Sequence, residues 1–330
     1  MRICVALLAL VFVAGPAARP ARMAGAPVLG VAAGRLTVDG SARFLVFISY
    51  FDGVRRARAG GIDQDLQFLA GQVDGIRVLP NWWASTCPVR AGADTLIDLD
   101  GAIRESVWRD VERLLDAAAS RGLAVDLSFT RETVNDNGSP ARVLSHQAYE
   151  DALARLVGGP AFLRGRFPNV LIDVQNEWPR FASAAQIERL LVRLHAADPG
   201  RLLMASVSGP AYVPTGRGIP TMIAAYHDPR GSDWFARNTI ARHVQGVKSL
   251  VRQPVYLQEP MPAATVCAAQ VVDRDMAHQA RALDAARDAG AAAWTFHTRS
   301  TFDLAGTSLV GKLRAPGGQD ERRAIEALRD

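Results

Sequence analysis

Lysine is almost missing from this chain: only Lys248 and Lys312 among its 38 basic residues are lysine, and the rest are arginine. We read the arginine and alanine richness as compositional bias and not as a binding signal. The basic residues are interspersed with 33 acidic ones, so no basic stripe marks a nucleic-acid surface, and a nucleic-acid partner is not expected. Cysteine is scarce, with three residues; no His pair has metal-ligand spacing in a suitable context, and Asp/His clusters of a metal hydrolase are missing. No glycine-rich phosphate loop follows a predicted strand. Ser206-Val207-Ser208-Gly209 has a serine before a glycine but lacks the frame of a nucleophile elbow. Beyond the first residues no apolar run is long enough to cross a bilayer, so stable membrane insertion is not expected of the mature chain. Linkers long enough to divide the chain, internal repeats and low-complexity tracts are also missing.

What is present describes an ordinary globular protein: 330 residues, a formal charge of +5, 49% hydrophobic and 22% charged. The length suits one β/α barrel of about 250 residues with trimmings. Met1-Arg2 is a short positive start, and residues 3–14 are almost unbroken apolar. Small residues and proline follow. This is the anatomy of a secretory signal peptide over residues 1–26, with cleavage after Ala17 or Ala26. The expectation is export to the periplasm or beyond, with residues 27–330 as a single catalytic domain and a monomer. Cys4 falls in the leader, without a lipobox. In an oxidising compartment Cys87 and Cys267 either pair or stay as two buried thiols.

Residues 35–44 read as a hairpin turning at Asp39-Gly40. Apolar, β-rich runs then recur at 44–49, 75–79, 123–129, 170–175, 202–207, 222–226, 255–258 and 291–296. Helical patterns separate most of them, at 62–73, 107–121, 146–162, 184–197, 234–251 and 273–289, and a last helix is expected over 320–329. Eight strands alternating with helices predict an α/β fold, a single (β/α)8 TIM barrel with a short N-terminal β-hairpin. The weak point is 208–221, rich in Gly and Pro and without a helical pattern.

Active sites of such barrels sit at the carboxyl ends of the strands. Arg77 and Asn81-Trp82-Trp83 fall there, as do Asn176-Glu177-Trp178-Pro179, Tyr226-His227-Asp228, Gln258-Glu259-Pro260 and Trp294, His297 and Arg299. Two carboxylates on different strands are what glycoside hydrolysis requires, one donating a proton and one attacking the anomeric carbon. Tryptophans offer flat faces on which sugars stack. Each residue also has a plainer reading: Arg77 as a partner of Asp173, Trp178 as packing, Arg55, Arg56 and Arg58 as a solvated loop. His146, His195, His243 and His278 fall on predicted helices as surface or packing residues.

The segment Leu171-Ile172-Asp173-Val174-Gln175-Asn176-Glu177-Trp178-Pro179 resembles the fourth-strand signature of clan A glycoside hydrolases. Pro254-Val255-Tyr256-Leu257-Gln258-Glu259-Pro260 resembles the seventh strand, Gly75-Ile76-Arg77-Val78 the second and Ala291-Ala292-Ala293-Trp294 the eighth. The hairpin running into Phe47-Ile48-Ser49-Tyr50-Phe51-Asp52-Gly53 is similar to the entry of family 5, the cellulase type. The resemblance implies a retaining glycosidase cleaving β-linked oligo- or polysaccharides, with Glu177 as acid/base and Glu259 as nucleophile. It also implies that Asn176 contacts the sugar 2-hydroxyl, that Arg77 braces Glu259 and that Trp294 faces the sugar, with Trp82 as a further platform. No metal or organic cofactor is implied. Two features depart from the family: the third strand ends Asp126-Leu127-Ser128-Phe129-Thr130-Arg131 without its histidine, and Tyr226-His227 replaces a His-x-Tyr spacing. Either Tyr226 or His227 could face the nucleophile. A rival of a different class is a barrel that binds carbohydrate without cleaving it.

Overall fold

A computed structural model describes residues 25–51, 53–81, 95–133, 142–208, 214, 216, 218–260, 273, 275–297, 308–314 and 319–329. The predicted leader, Trp82, Trp83, Cys87, Cys267 and Arg299 lie outside the described residues.

Three short strands come first, β1 (Leu29–Ala32), β2 (Arg35–Val38) and β3 (Ser41–Ala42), paired antiparallel in that order. The anticipated hairpin is β2–β3, and β1 extends it to a three-stranded sheet. Both turns place two successive residues at positive φ: Ala33 (50°) with Gly34 (71°), and Asp39 (52°) with Gly40 (82°). That is the twist a two-residue hairpin demands.

Eight parallel strands follow in one sheet: β4 (Leu45–Ser49), β5 (Gly75–Val78), β6 (Ala124–Ser128), β9 (Val170–Asp173), β10 (Leu202–Met204), β11 (Ala224–Tyr226), β12 (Val255–Leu257) and β13 (Ala293–Phe296). A two-residue pair, β7 (Glu132–Thr133) and β8 (Arg142–Val143), branches off after β6. The barrel order is β10-β9-β6-β5-β4-β13-β12-β11. Among the described residues, the seam between β10 and β11 is closed by the isolated bridges Leu203↔Met222 and Val207↔Tyr226. The barrel is therefore nearly closed, and its loosest join is between the two strands that the segment without a helical pattern connects.

Helices cover the outside: α1 (Gly53–Arg58), α2 (Ile62–Leu69), α3 (Glu105–Ala119), α4 (His146–Gly158), α5 (Ala184–Ala197), α6 (Arg237–Leu250), α7 (Met276–Asp288), α8 (Leu309–Arg314) and α9 (Gln319–Glu326). In α3, Val107, Val111, Leu114 and Leu115 form the buried stripe that its period requires. A capping box starts α5, with Ser183 and Gln186 satisfying each other's backbone N–H groups. The six-residue helices α1 and α8 were not anticipated, being too short for periodicity to register. Arg56 and Arg58 lie on α1 and are not loop residues. Arg56 is buried against Asp65 (3.1 Å), and Arg58 pairs with Asp110 (2.7 Å).

Side-chain parity along the strands decides what faces the site. Leu45, Phe47, Ala124, Leu171, Leu202, Met204, Ile223, Ala225 and Tyr256 form an inner apolar cluster, which Leu29 and Leu36 of the small sheet join. The alternate residues, among them Ile48, Ile76, Val125, Ile172, Leu203, Tyr226, Leu257, Trp294 and Phe296, pack with the helices. Inside the barrel, apolar residues occupy the pole covered by β1–β3. Toward the strand ends the lining turns polar, with Ser49, Arg77, Asp126, Ser128, Asp173, Ser206, Gln258 and Thr295 all buried.

Candidate active site

Inward parity puts Arg77 near the end of β5, and its guanidinium reaches across the barrel. Nη1 donates to Glu259 Oε1 (2.5 Å), Nη2 to Asn176 Oδ1 (2.7 Å) and Nε to Ser128 Oγ (2.9 Å). Asp126 lies 3.6 Å away. Burial works against the arginine's charge, but Glu259, Asp126 and Asp173 outweigh it and raise its pKa. Arg77 therefore braces Glu259 and is also part of the interior charge network.

Glu177 follows β9 with its backbone in the left-handed region (φ 50°), a conformation costing a non-glycine residue roughly 1–2 kcal/mol. Such strain gathers where a side chain has to be aimed. Glu177 Oε1 accepts from Ser208 Oγ at 2.6 Å and lies 3.5 Å from His227 Nδ1. Glu259, just past β12, is buried, with Oε2 3.3 Å from His227 Nδ1 and 3.8 Å from His297 Nε2. One oxygen of each glutamate and the His227 nitrogen all lie within 4.8 Å of one another. Among the described residues, these three form the group whose geometry suits a metal ion.

Arg230, four residues beyond β11, spans the pair. Its Nη2 donates to Glu259 Oε2 at 2.7 Å and lies 3.5 Å from Glu177 Oε1, and its Nε donates to the His227 carbonyl at 2.9 Å. Sequence reasoning missed it. The available signal was its position just past a barrel strand, camouflaged by the arginines throughout the chain.

Beneath the pair, Gln258 Nε2 donates to Asp126 Oδ2 (2.8 Å) and Asp173 Oδ2 (3.2 Å), and its Oε1 faces His227 Nε2 (2.9 Å). Tyr256 donates to Asp126 (3.2 Å) and shares a hydrogen bond with Thr295. His297 Nδ1 meets Ser49 Oγ at 2.7 Å.

The electrostatics separate two tiers of carboxyls. His227 is the largest influence on Glu177 and outweighs its burial, lowering its pKa to about 2. Burial pushes Glu259 up, but His227, Arg77 and Arg230 together hold it well below the carboxylate range. Both glutamates are thus ionised in the resting protein. Deeper in the barrel, burial lifts Asp126 to about 7 against the pull of Arg77, and burial raises Asp173 as well. His297 is lowered to about 3, chiefly by burial, and stays neutral at ordinary pH.

Of the residues singled out from sequence, the structure brings together Glu177, Glu259, Asn176, Arg77 and His227, with His297 beside them. Tyr226 and Trp294 are placed elsewhere, and this corrects the sequence expectation. Both are fully buried in the outer layer; Trp294 packs edge-on to Phe296, and its indole N–H has no hydrogen-bond partner among the described residues. The Tyr226 hydroxyl likewise lacks such a partner, and burial pushes its pKa up. The reason is the two-residue strand period: Ala225 and His227 point inward, so Tyr226 cannot, and Thr295 and His297 exclude Trp294 in the same way. Trp178 is also buried.

No family model matches this sequence, and no curated protein matches it. Solved structures do. An exo-β-1,4-mannosidase from Opitutaceae bacterium strain TAV5 is 16% identical with a TM-score of 0.60, over 91% of this chain and 62% of its own. A glycoside hydrolase family 5 mannosidase from Rhizomucor miehei is 9% identical with a TM-score of 0.57, over 91% and 98%. A β-mannanase from Thermomonospora fusca in complex with mannotriose is 14% identical with a TM-score of 0.54, over 90% and 88%. At such identities it is architecture that is shared. The chain has the barrel fold of the clan A, family 5-like glycosidases.

Proposed function

We propose that the protein is a retaining glycoside hydrolase of β-linked oligo- or polysaccharides, with Glu259 as nucleophile and Glu177 as acid/base. One observation carries this reading: carboxylate oxygens from the ends of β9 and β12 approach within 4.8 Å at the polar mouth of the barrel. A retaining pair needs carboxyls about 5–5.5 Å apart, whereas an inverting pair stands wider to admit a water. Arg77 and Arg230, one on each oxygen of Glu259, keep the nucleophile ionised and aimed.

The gap between the glutamates holds either the Arg230 guanidinium or an anomeric carbon. Sugar entry therefore displaces Arg230. Glu177 then loses a cation, is covered by the sugar and faces the charge of Glu259, and each change favours its protonated form. Glu259 attacks the anomeric carbon while Glu177 gives its proton to the departing oxygen. Water, deprotonated by Glu177, then cleaves the glycosyl ester. Asn176, its carboxamide oxygen taken by Arg77, has its amide nitrogen to offer a sugar hydroxyl. The structural neighbours make β-mannosides the first substrates to try. The leader-like residues 1–26 support a reading of the enzyme as exported.

Purified protein should release aryl alcohol from an aryl β-mannoside, or from a β-glucoside or β-xyloside in the same panel, alongside mannan, β-glucan and xylan. Glu177→Gln and Glu259→Gln should each lose roughly a hundredfold or more in rate. Retention of activity by either variant removes its assigned role. Arg230 lying across the pair supports the rival reading of a silent sugar-binding barrel, and sugar binding without any release would decide for it.

A further inference from the structure

Gln258 determines the chemistry of His227. Its Nε2 is committed to Asp126 and Asp173, so its amide oxygen is the atom turned toward His227 Nε2. An amide oxygen only accepts, so Nε2 carries a hydrogen, and Nδ1, the atom through which His227 acts on both glutamates, is the ring nitrogen open to a metal in exchange for a proton. His227 is fully buried, and its Nδ1 has no hydrogen-bond partner among the described residues. Glu259 Oε2 lies 3.3 Å from it and Glu177 Oε1 3.5 Å. Two carboxylate oxygens and one ring nitrogen therefore converge on one point, where positive charge is held either by a ring proton with Arg230 or by a metal ion in their place.

We propose that Glu177, His227 and Glu259 form a site for a divalent transition-metal ion, zinc fitting best, and that Arg230 holds the place of that ion in the resting protein. Zinc bonds of about 2.0–2.1 Å in a tetrahedron give ligand–ligand edges of roughly 3.3 Å. Both edges at His227 already have that length, and the edge between the glutamates, within 4.8 Å, closes by a small shift of the partly exposed Glu177. The Gln258 amide oxygen, accepting the other ring N–H, supplies the outer partner that metal-bound histidines have. The fourth zinc position is left to water. Arg230 competes directly, because its Nη2 occupies Glu259 Oε2, and with 27% of its side chain exposed it can swing outward. The binding site does not depend on the glycosidase reading. Its consequence does: zinc would exclude sugar from the gap and act as a competitive inhibitor.

The test is calorimetric titration of the chelator-treated full chain with zinc chloride, repeated with magnesium chloride. One zinc per chain should bind in the micromolar range and magnesium should not, since a nitrogen ligand disfavours it. His227→Asn and Glu177→Gln should each weaken zinc by about tenfold or more. Glu177 is partly exposed, so its variant serves if the histidine variant does not fold. Arg230→Ala should tighten zinc severalfold, which a merely adventitious site would not do. Absence of zinc binding, equal binding by the variants, equal binding of magnesium or weaker binding by Arg230→Ala would each overturn the proposal. In a parallel assay on aryl β-mannoside, zinc should raise KM and leave kcat unchanged. Turnover without zinc binding rejects the metal site alone, and zinc binding without turnover rejects the glycosidase reading alone.

Discussion

Asp126 sits fully buried below the glutamates, accepting from Gln258, Tyr256 and Ser128. An aspartate in an unfolded chain titrates near roughly 3.9, whereas burial lifts this one to about 7. Between those values the folded state binds more protons than the unfolded one. The contribution to stability is therefore full below the lower value and is lost as pH rises through the upper one. Asp173, raised in the same direction, adds to the trend. Denaturant midpoints at pH 5 and pH 8 should differ for the parent protein, higher at pH 5, and Asp126→Asn should narrow that difference. An unchanged gap would mean that Asp126 is ionised at both values. At this same scale the sequence was only half legible. The types and order of the site residues were readable from strand ends, but their facing was not. A parallel strand buried on both sides carries apolar residues at every position, so nothing in Ala225-Tyr226-His227 or Trp294-Thr295-Phe296-His297 marks which residues point inward. One residue of register separates His227 from Tyr226, and the same parity sets His297 rather than Trp294 at the mouth.

At the scale of elements, the long strands and helices were readable because runs rich in valine, isoleucine and leucine alternate with amphipathic stretches over many residues. Strand β1 and helices α1 and α8 span four to six residues each, too few for a period to declare itself. Strand β5 carries a sharper local constraint. A Cβ on Gly75 would stand 2.5 Å from the Phe47 ring and 2.7 Å from the Ala124 carbonyl oxygen. The backbone oxygen belongs to the β5–β6 ladder, where Gly75 faces Ala124, and has little room to yield, and the ring belongs to the inner apolar cluster. Gly75→Ala should lower stability by about 1–3 kcal/mol, the usual cost of overpacking a filled core. A thermal midpoint equal to the parent's would contradict this packing. Because β5 also carries Arg77, any strand shift that rescues the fold should appear as lost activity.

Across the whole molecule, barrel closure is uneven. Strands β4, β5, β6 and β9 are joined by continuous ladders, whereas β10 meets β11 through isolated bridges. Local opening follows the weakest join. Amide hydrogens of Leu203, Ile223 and His227 should therefore exchange faster than those of Val125 and Phe129. Equal protection on both sides of the barrel would show that the bridges close it as firmly as a full ladder does. His227 reaches the mouth from this looser side, while Arg77 and Asn176 come from the firmer one.

The sheet of β1–β3 seals the pole opposite the glutamates, so the polypeptide enters the fold from behind its own working face. A bead, a fusion partner or a retained leader attached ahead of residue 25 would hold the protein by its back and leave the groove turned outward. Tethering at that end should therefore cost little access to a long, insoluble glycan, which makes it the natural handle for immobilisation.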